Sequence, residues 1–125
     1  VSKPTARDRR TALSRGHFAE TMAAAILVAK GYRILARRYQ VKGGELDIVA
    51  RRGDTIAFVE VKARSTLDEG LFAIDATKRR RMSRAARVWL TANPWAAGLT
   101  LRGDAFSLAP WRCPAHVIGA VELDL

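Results

Sequence analysis

The sequence predicts one α/β domain, a sheet of about five strands with helices packed against it. Three observations carry this expectation. Several short segments alternate apolar and polar residues as strands do, two longer ones repeat apolar residues at helical spacing, and Gly, Pro and Asn fall between them. A chain of 125 residues that is 49% hydrophobic is long enough for one real core and short for two.

The elements follow in order. Residues 1–14 carry Lys3, Arg7, Arg9 and Arg10, are poor in apolar side chains and read as a basic flexible arm, with the domain proper over 15–125. Over 15–30, Phe18, Met22, Ile26 and Ala29 recur at helical spacing, which predicts a helix closed by Gly31. Glu20 lies on another stripe beside Ala23, Ala24 and Leu27. It is either partly buried there or simply suits the helix dipole. Residues 32–40 read as a first strand, followed by a turn at Lys42-Gly43-Gly44. After the two central strands comes a polar loop at 66–70, then a second helix over 74–92. Ile74, Met82, Ala85 and Trp89 form its inward stripe, and Lys78 falls on the same stripe. Asn93-Pro94 stops that helix, and 99–108 and 116–123 are the fourth and fifth strands. Trp95 and Trp111 are expected at core edges.

The chemistry concentrates in the central hairpin. Segments 45–51 and 55–64 flank Gly53-Asp54, a pair suited to a two-residue turn. With that turn Arg52 pairs with Thr55, Val49 with Phe58, Asp47 with Glu60 and Glu45 with Lys62. The opposite face pairs Leu46 with Val61, Ile48 with Val59 and Ala50 with Ala57, so a one-residue slip would spoil it. Directly opposed side chains lie roughly 5 Å apart, where like charges repel. Two carboxylates placed together need a cation between them or a shifted pKa. A solvated strand face with a weak Glu-Lys pair is the plain alternative. It leaves the Asp47–Glu60 juxtaposition unexplained.

Charge is the second signal. The net charge of +10 favours a polyanionic partner. It collects in the 1–15 segment and in Lys78-Arg79-Arg80-Arg81 with Arg84 and Arg87, a distribution suited to a phosphate backbone. No apolar run approaches the length of a membrane span, and no signal-peptide core is present, so a membrane partner is not expected. The single Cys113 fits a reducing cytoplasm and has no metal-type spacing around it. Two carboxylates, a neighbouring lysine and a basic surface suit phosphodiester hydrolysis with Mg²⁺ or Mn²⁺, since such hard ions bind through one or two carboxylates plus water and phosphate oxygens. No Ser-His-Asp set, phosphate loop or zinc spacing competes.

Asp47 followed by Glu60-Val61-Lys62, with Glu20 on the preceding helix, resembles the core of the PD-(D/E)XK nuclease superfamily. Gly16-His17-Phe18-Ala19-Glu20, Gly31-Tyr32, Gly44-Glu45-Leu46-Asp47 and Phe58-Val59-Glu60-Val61-Lys62-Ala63-Arg64 resemble more closely the YraN-like family. The resemblance runs from about Gly16 to the C-terminus. It implies a mixed, restriction-endonuclease-like sheet flanked by helices, similar to Holliday-junction resolvases and tRNA-splicing endonucleases. Asp47 and Glu60 would then be metal ligands, Lys62 the catalytic lysine and Glu20 an accessory acid. Arg64, Lys78, Arg79, Arg80 and Arg84 are expected to meet nucleic acid, DNA ahead of RNA. A homodimer would match the related junction-cleaving enzymes. The expected activity is metal-dependent cleavage of DNA, with a catalytically inactive nucleic-acid-binding protein as the alternative. Two departures stand out. Leu46 replaces the superfamily's proline before Asp47, and Arg102-Gly103-Asp104 replaces an Arg-Phe-Asp pattern, a change expected to thin the packing there.

Overall fold

The computed structural model describes residues 5–63, 76–109 and 113–125, and the side chains of all these except 7–15. Helix α1 (Ala6–Ala29) leads to strands β1 (Arg33–Val41), β2 (Gly44–Arg52) and β3 (Thr55–Ala63). Helix α2 (Ala76–Ala92) and a 3₁₀ turn (Pro94–Ala96) precede β4 (Thr100–Leu108) and β5 (Ala115–Val121). The strands form one sheet in the order β1-β2-β3-β4-β5. Every neighbour is antiparallel except β3 and β4, which run parallel and are joined across α2. The fold is the expected α/β class with a mixed five-stranded sheet.

A helix lies against each face. Ala23, Ala24 and Leu27 of α1 pack with Ile48, Ala50, Ala57, Val59 and Phe106. Met82, Ala85, Ala86 and Trp89 of α2 pack with Val49, Ile56 and Phe58 on the other side. This is the double cover implied by apolar residues on both faces of the central strands.

Helix α1 corrects one expectation. Its backbone is helical from Ala6, so most of the segment expected as a flexible arm belongs to the helix. Its buried stripe is Ala19, Ala23, Ala24 and Leu27, whereas Phe18 is 66% exposed and Met22 37%. The small side chains face the sheet, because alanine lets the helix approach it closely. In α2 the expected stripe holds, with Met82, Ala85 and Trp89 buried; Ile74, Trp111, the 66–70 loop and Arg64 lie outside the described residues. Trp95 is 51% exposed, edge-on to Trp89 and beneath the Arg51 guanidinium, in keeping with a core edge.

Two glycines set close approaches. A Cβ on Gly44 would stand 2.7 Å from the Arg81 carbonyl oxygen and 2.9 Å from the Ala85 nitrogen, so the β1–β2 turn can rest directly on the α2 backbone. On Gly103 it would stand 2.4 Å from the Val121 carbonyl oxygen and 3.0 Å from Leu123. Gly103 therefore tightens the β4–β5 contact, contrary to the expected thinning. Beside it, the fully buried Asp104 carboxylate is held by Arg102, His116 and the Gly119 N–H. Burial alone would raise the Asp104 pKa; the Arg102, Gly119 and His116 bonds outweigh it and hold the carboxyl below its ordinary value.

Candidate active site

The β2–β3 hairpin has the expected register through five pairs, Arg52 with Thr55 to Ile48 with Val59. There the ladder ends. β2 stays paired with β1 as far as Gly44, and β3 stays paired with β4 as far as Ala63. Asp47 lies just past the last pair, and its Oδ2 accepts the Val61 N–H at 2.8 Å in place of a carbonyl. Two expected pairs are corrected by this parting. Leu46 turns to the α2-side cluster while Val61 packs on the α1 side, so they do not face each other. Glu45 pairs with Lys78 rather than Lys62.

Asp47 and Glu60 nevertheless come together. The two carboxyl groups lie close enough for each to perturb the other. Glu60 is 5% exposed, and its buried Oε2 has no hydrogen-bond partner among the described residues. Burial, then the Asp47 charge, push Glu60 up to about 8, with Lys78 pulling the other way. Burial also raises Asp47, against the bond from the Val61 N–H. These are the shifts expected of two carboxylates in one enclosed place.

Lys78 closes the cluster from α2. Its Nζ lies 2.6 Å from Glu45 Oε1 and 3.3 Å from Glu60 Oε1. Desolvation lowers the Lys78 pKa, but the Glu45 bond and the nearby carboxylates outweigh it and raise it. The bond from Lys78 holds Glu45 below its usual value despite some burial. Lys78, besides its place among the expected nucleic-acid contacts, was expected either to snorkel or to reach the carboxylate cleft, and it reaches the cleft; Glu45 was not named as a site residue. The inward stripe of the helix carried the signal for Lys78, since it placed this one cation of the basic run toward the sheet.

The remaining candidates divide. Lys62 follows Glu60 by two residues and so shares its face of β3; it is partly exposed and enters no ion pair among the described residues. Glu20 is buried, as one of its two readings had it, but belongs to another cluster. Its oxygens accept from Arg37 Nε at 2.7 Å and Arg38 Nε at 2.6 Å. Arg79, Arg80 and Arg84 line a cavity of about 730 Å³ together with Arg81 and Arg87, between α2 and the C-terminal residues Glu122 and Asp124. Arg84 also holds the Lys42 carbonyl, and Arg87 that of Asp124.

The donors at Asp47 and Glu60 are hard oxygens, one of them buried and unpartnered, which suits a hard divalent cation completed by water. No group of three or more His, Cys, Asp or Glu residues among the described ones could hold a metal. An ion bound by Asp47 and Glu60 would take most of its shell from water and phosphate.

The family model described as uncharacterised protein family UPF0102 matches residues 19–124. The chain belongs to UPF0102. A UPF0102 protein of Methylocella silvestris is 62% identical over 94% of this chain and 94% of its own length. Relatives in Methylobacterium nodulans and a Bradyrhizobium species are 58% and 46% identical, each over 97% of this chain and over 94% and 89% of theirs. UPF0102 is the YraN family, so the YraN-like resemblance holds. The mixed sheet between two helices is consistent with the nuclease superfamily. No described helix is long and apolar enough to cross a membrane.

Proposed function

We propose that this UPF0102 protein is a metal-dependent nuclease that hydrolyses phosphodiester bonds in DNA, with branched structures as favoured substrates. The observation that carries the reading is the Asp47–Glu60 pair at the parting of β2 and β3, with a buried Glu60 oxygen left without a partner. Structural carboxylates are normally satisfied; one kept unsatisfied and easily protonated points to a ligand. Asp47 and Glu60 would hold Mg²⁺ or Mn²⁺. Such an ion, when bound, neutralises phosphate charge and acidifies a water. Lys62, on the same face as Glu60, would orient the attacking water or steady the charge developing on the phosphate. Lys78 holds Glu45 and one oxygen of Glu60 in place. The arginine-lined cavity beside α2 would guide the strand by its phosphates. A cytoplasmic location and a homodimer belong to the same proposal.

One observation favours the second reading, a nucleic-acid-binding protein without turnover. The Lys78 ammonium already provides the carboxylates with an internal cation. Incubation with linear, flapped and four-way-junction DNA and with structured RNA, in Mg²⁺, Mn²⁺ or chelator, separates the two. Cleavage that requires metal and is lost in E60Q and K62A supports the nuclease. Equal binding by all three proteins with no cleavage supports the binding module.

A further inference from the structure

Arg38 has a φ of 49°, the one left-handed non-glycine residue among those described. Such a conformation costs free energy in a residue with a Cβ and persists where surrounding contacts enforce it. The Arg38 side chain reaches Glu20 from this conformation. This carboxylate is 6% exposed and takes the Nε–H of Arg37 on one oxygen and that of Arg38 on the other, while the two arginine side chains are 38% and 48% exposed. Arg37 gives one further N–H to Thr21 Oγ1 at 2.8 Å. The remaining guanidinium N–H groups of both arginines have no bond among the described residues. The pairs Arg37–Ile48 and Tyr39–Leu46 set Arg38 beside Asp47 along the β1–β2 ladder.

A buried anion thus braces two half-exposed arginines next to the strand position of the candidate site, with their outer donors unbonded among the described residues. Guanidinium groups held this way match phosphate oxygens, and bracing removes the entropy they would otherwise lose on binding. We infer that Arg37 and Arg38, braced by Glu20, form a fork that receives a non-reacting phosphate of the bound nucleic-acid strand. Glu20 is then a positioning residue for that fork. The inference rests on the proposed nucleic-acid function and adds a contact that lies outside the α2 arginine cluster.

Binding of a fluorescent four-way-junction DNA in chelator, over a series of salt concentrations, tests it apart from cleavage. R38G removes the fork and relaxes the left-handed backbone. Its affinity is expected to fall several-fold and its salt slope by about 1, with a melting temperature no lower than wild type. E20Q raises the net charge by one, so attraction by charge alone would strengthen binding; the braced fork requires it to weaken. Unchanged affinity and slope in R38G, or stronger binding by E20Q, would overturn the fork while leaving nucleic-acid binding intact. Should wild type bind no nucleic acid, the proposed function and the fork both fall. If R38G melts lower, E20Q and an R38K variant, expected to recover charge but only part of the affinity, decide the matter.

Discussion

Replacing Glu60 with glutamine removes the group most perturbed in the cluster and keeps its shape. The amide keeps the size of the carboxylic acid without its charge, and its oxygen can still face Lys78. Glu60 has its folded pKa at about 8 against an ordinary 4.5, so the folded chain holds a proton in that window that the unfolded chain has released. Wild-type stability from this group is therefore full below pH 4.5, declines as pH rises, and levels off above about 8. At about 1.4 kcal/mol per pH unit the ceiling is about 5 kcal/mol, and the coupling of Glu60 to Asp47 and Lys78 brings the expected loss to about 2 kcal/mol. E60Q lacks this loss. Melting curves across pH should show the two proteins close together near pH 4.5 and E60Q higher by roughly 6–10 °C near pH 8.5. A gap that does not change with pH, or E60Q melting lower at pH 8.5, would refute the enclosed pair and make Glu60 an ordinary partner of Lys78.

Other changes test the frame that holds the site. G44A should cost about 2–4 kcal/mol, read by urea denaturation, because its Cβ meets the α2 backbone rather than a flexible side chain. D104A should cost about 3–5 kcal/mol, since Arg102 and His116 lose the buried anion they share, while the Asp47–Glu60 pair keeps its own Lys78 partner and its pH response. A wild-type cost near zero for either substitution in thermal melts would contradict the packing described.

Much of the site was legible because the hairpin constrains itself. Gly53 (φ 59°) sets the turn, the Ala50–Ala57 and Ile48–Val59 pairs set the register, and counting then brings Asp47 to Glu60. The count fails beyond Ile48, where a side chain replaces a carbonyl as the acceptor for Val61, and no periodicity records that exchange. Helix α1 was legible as a helix from its spacing, but which stripe packs inward depends on how closely helix and sheet approach, and that selects Ala19 and Ala23 over Phe18 and Met22. Glu20 was placed beside small residues correctly, yet its partners Arg37 and Arg38 lie on a strand whose left-handed residue leaves no trace in composition. Lys78 could be read as inward from spacing alone, whereas its choice of Glu45 depends on where the β1–β2 turn meets α2.

The most direct test of the proposed metal site is Mn²⁺ binding at pH 8, followed by the loss of free-ion signal in electron paramagnetic resonance, with and without four-way-junction DNA. Wild type is expected to bind one ion, more tightly with DNA present, and D47N and E60Q to lose it. Equal binding by all three proteins, or none by wild type with DNA, would contradict the metal site and leave Asp47 and Glu60 as a buried carboxyl pair closed by Lys78.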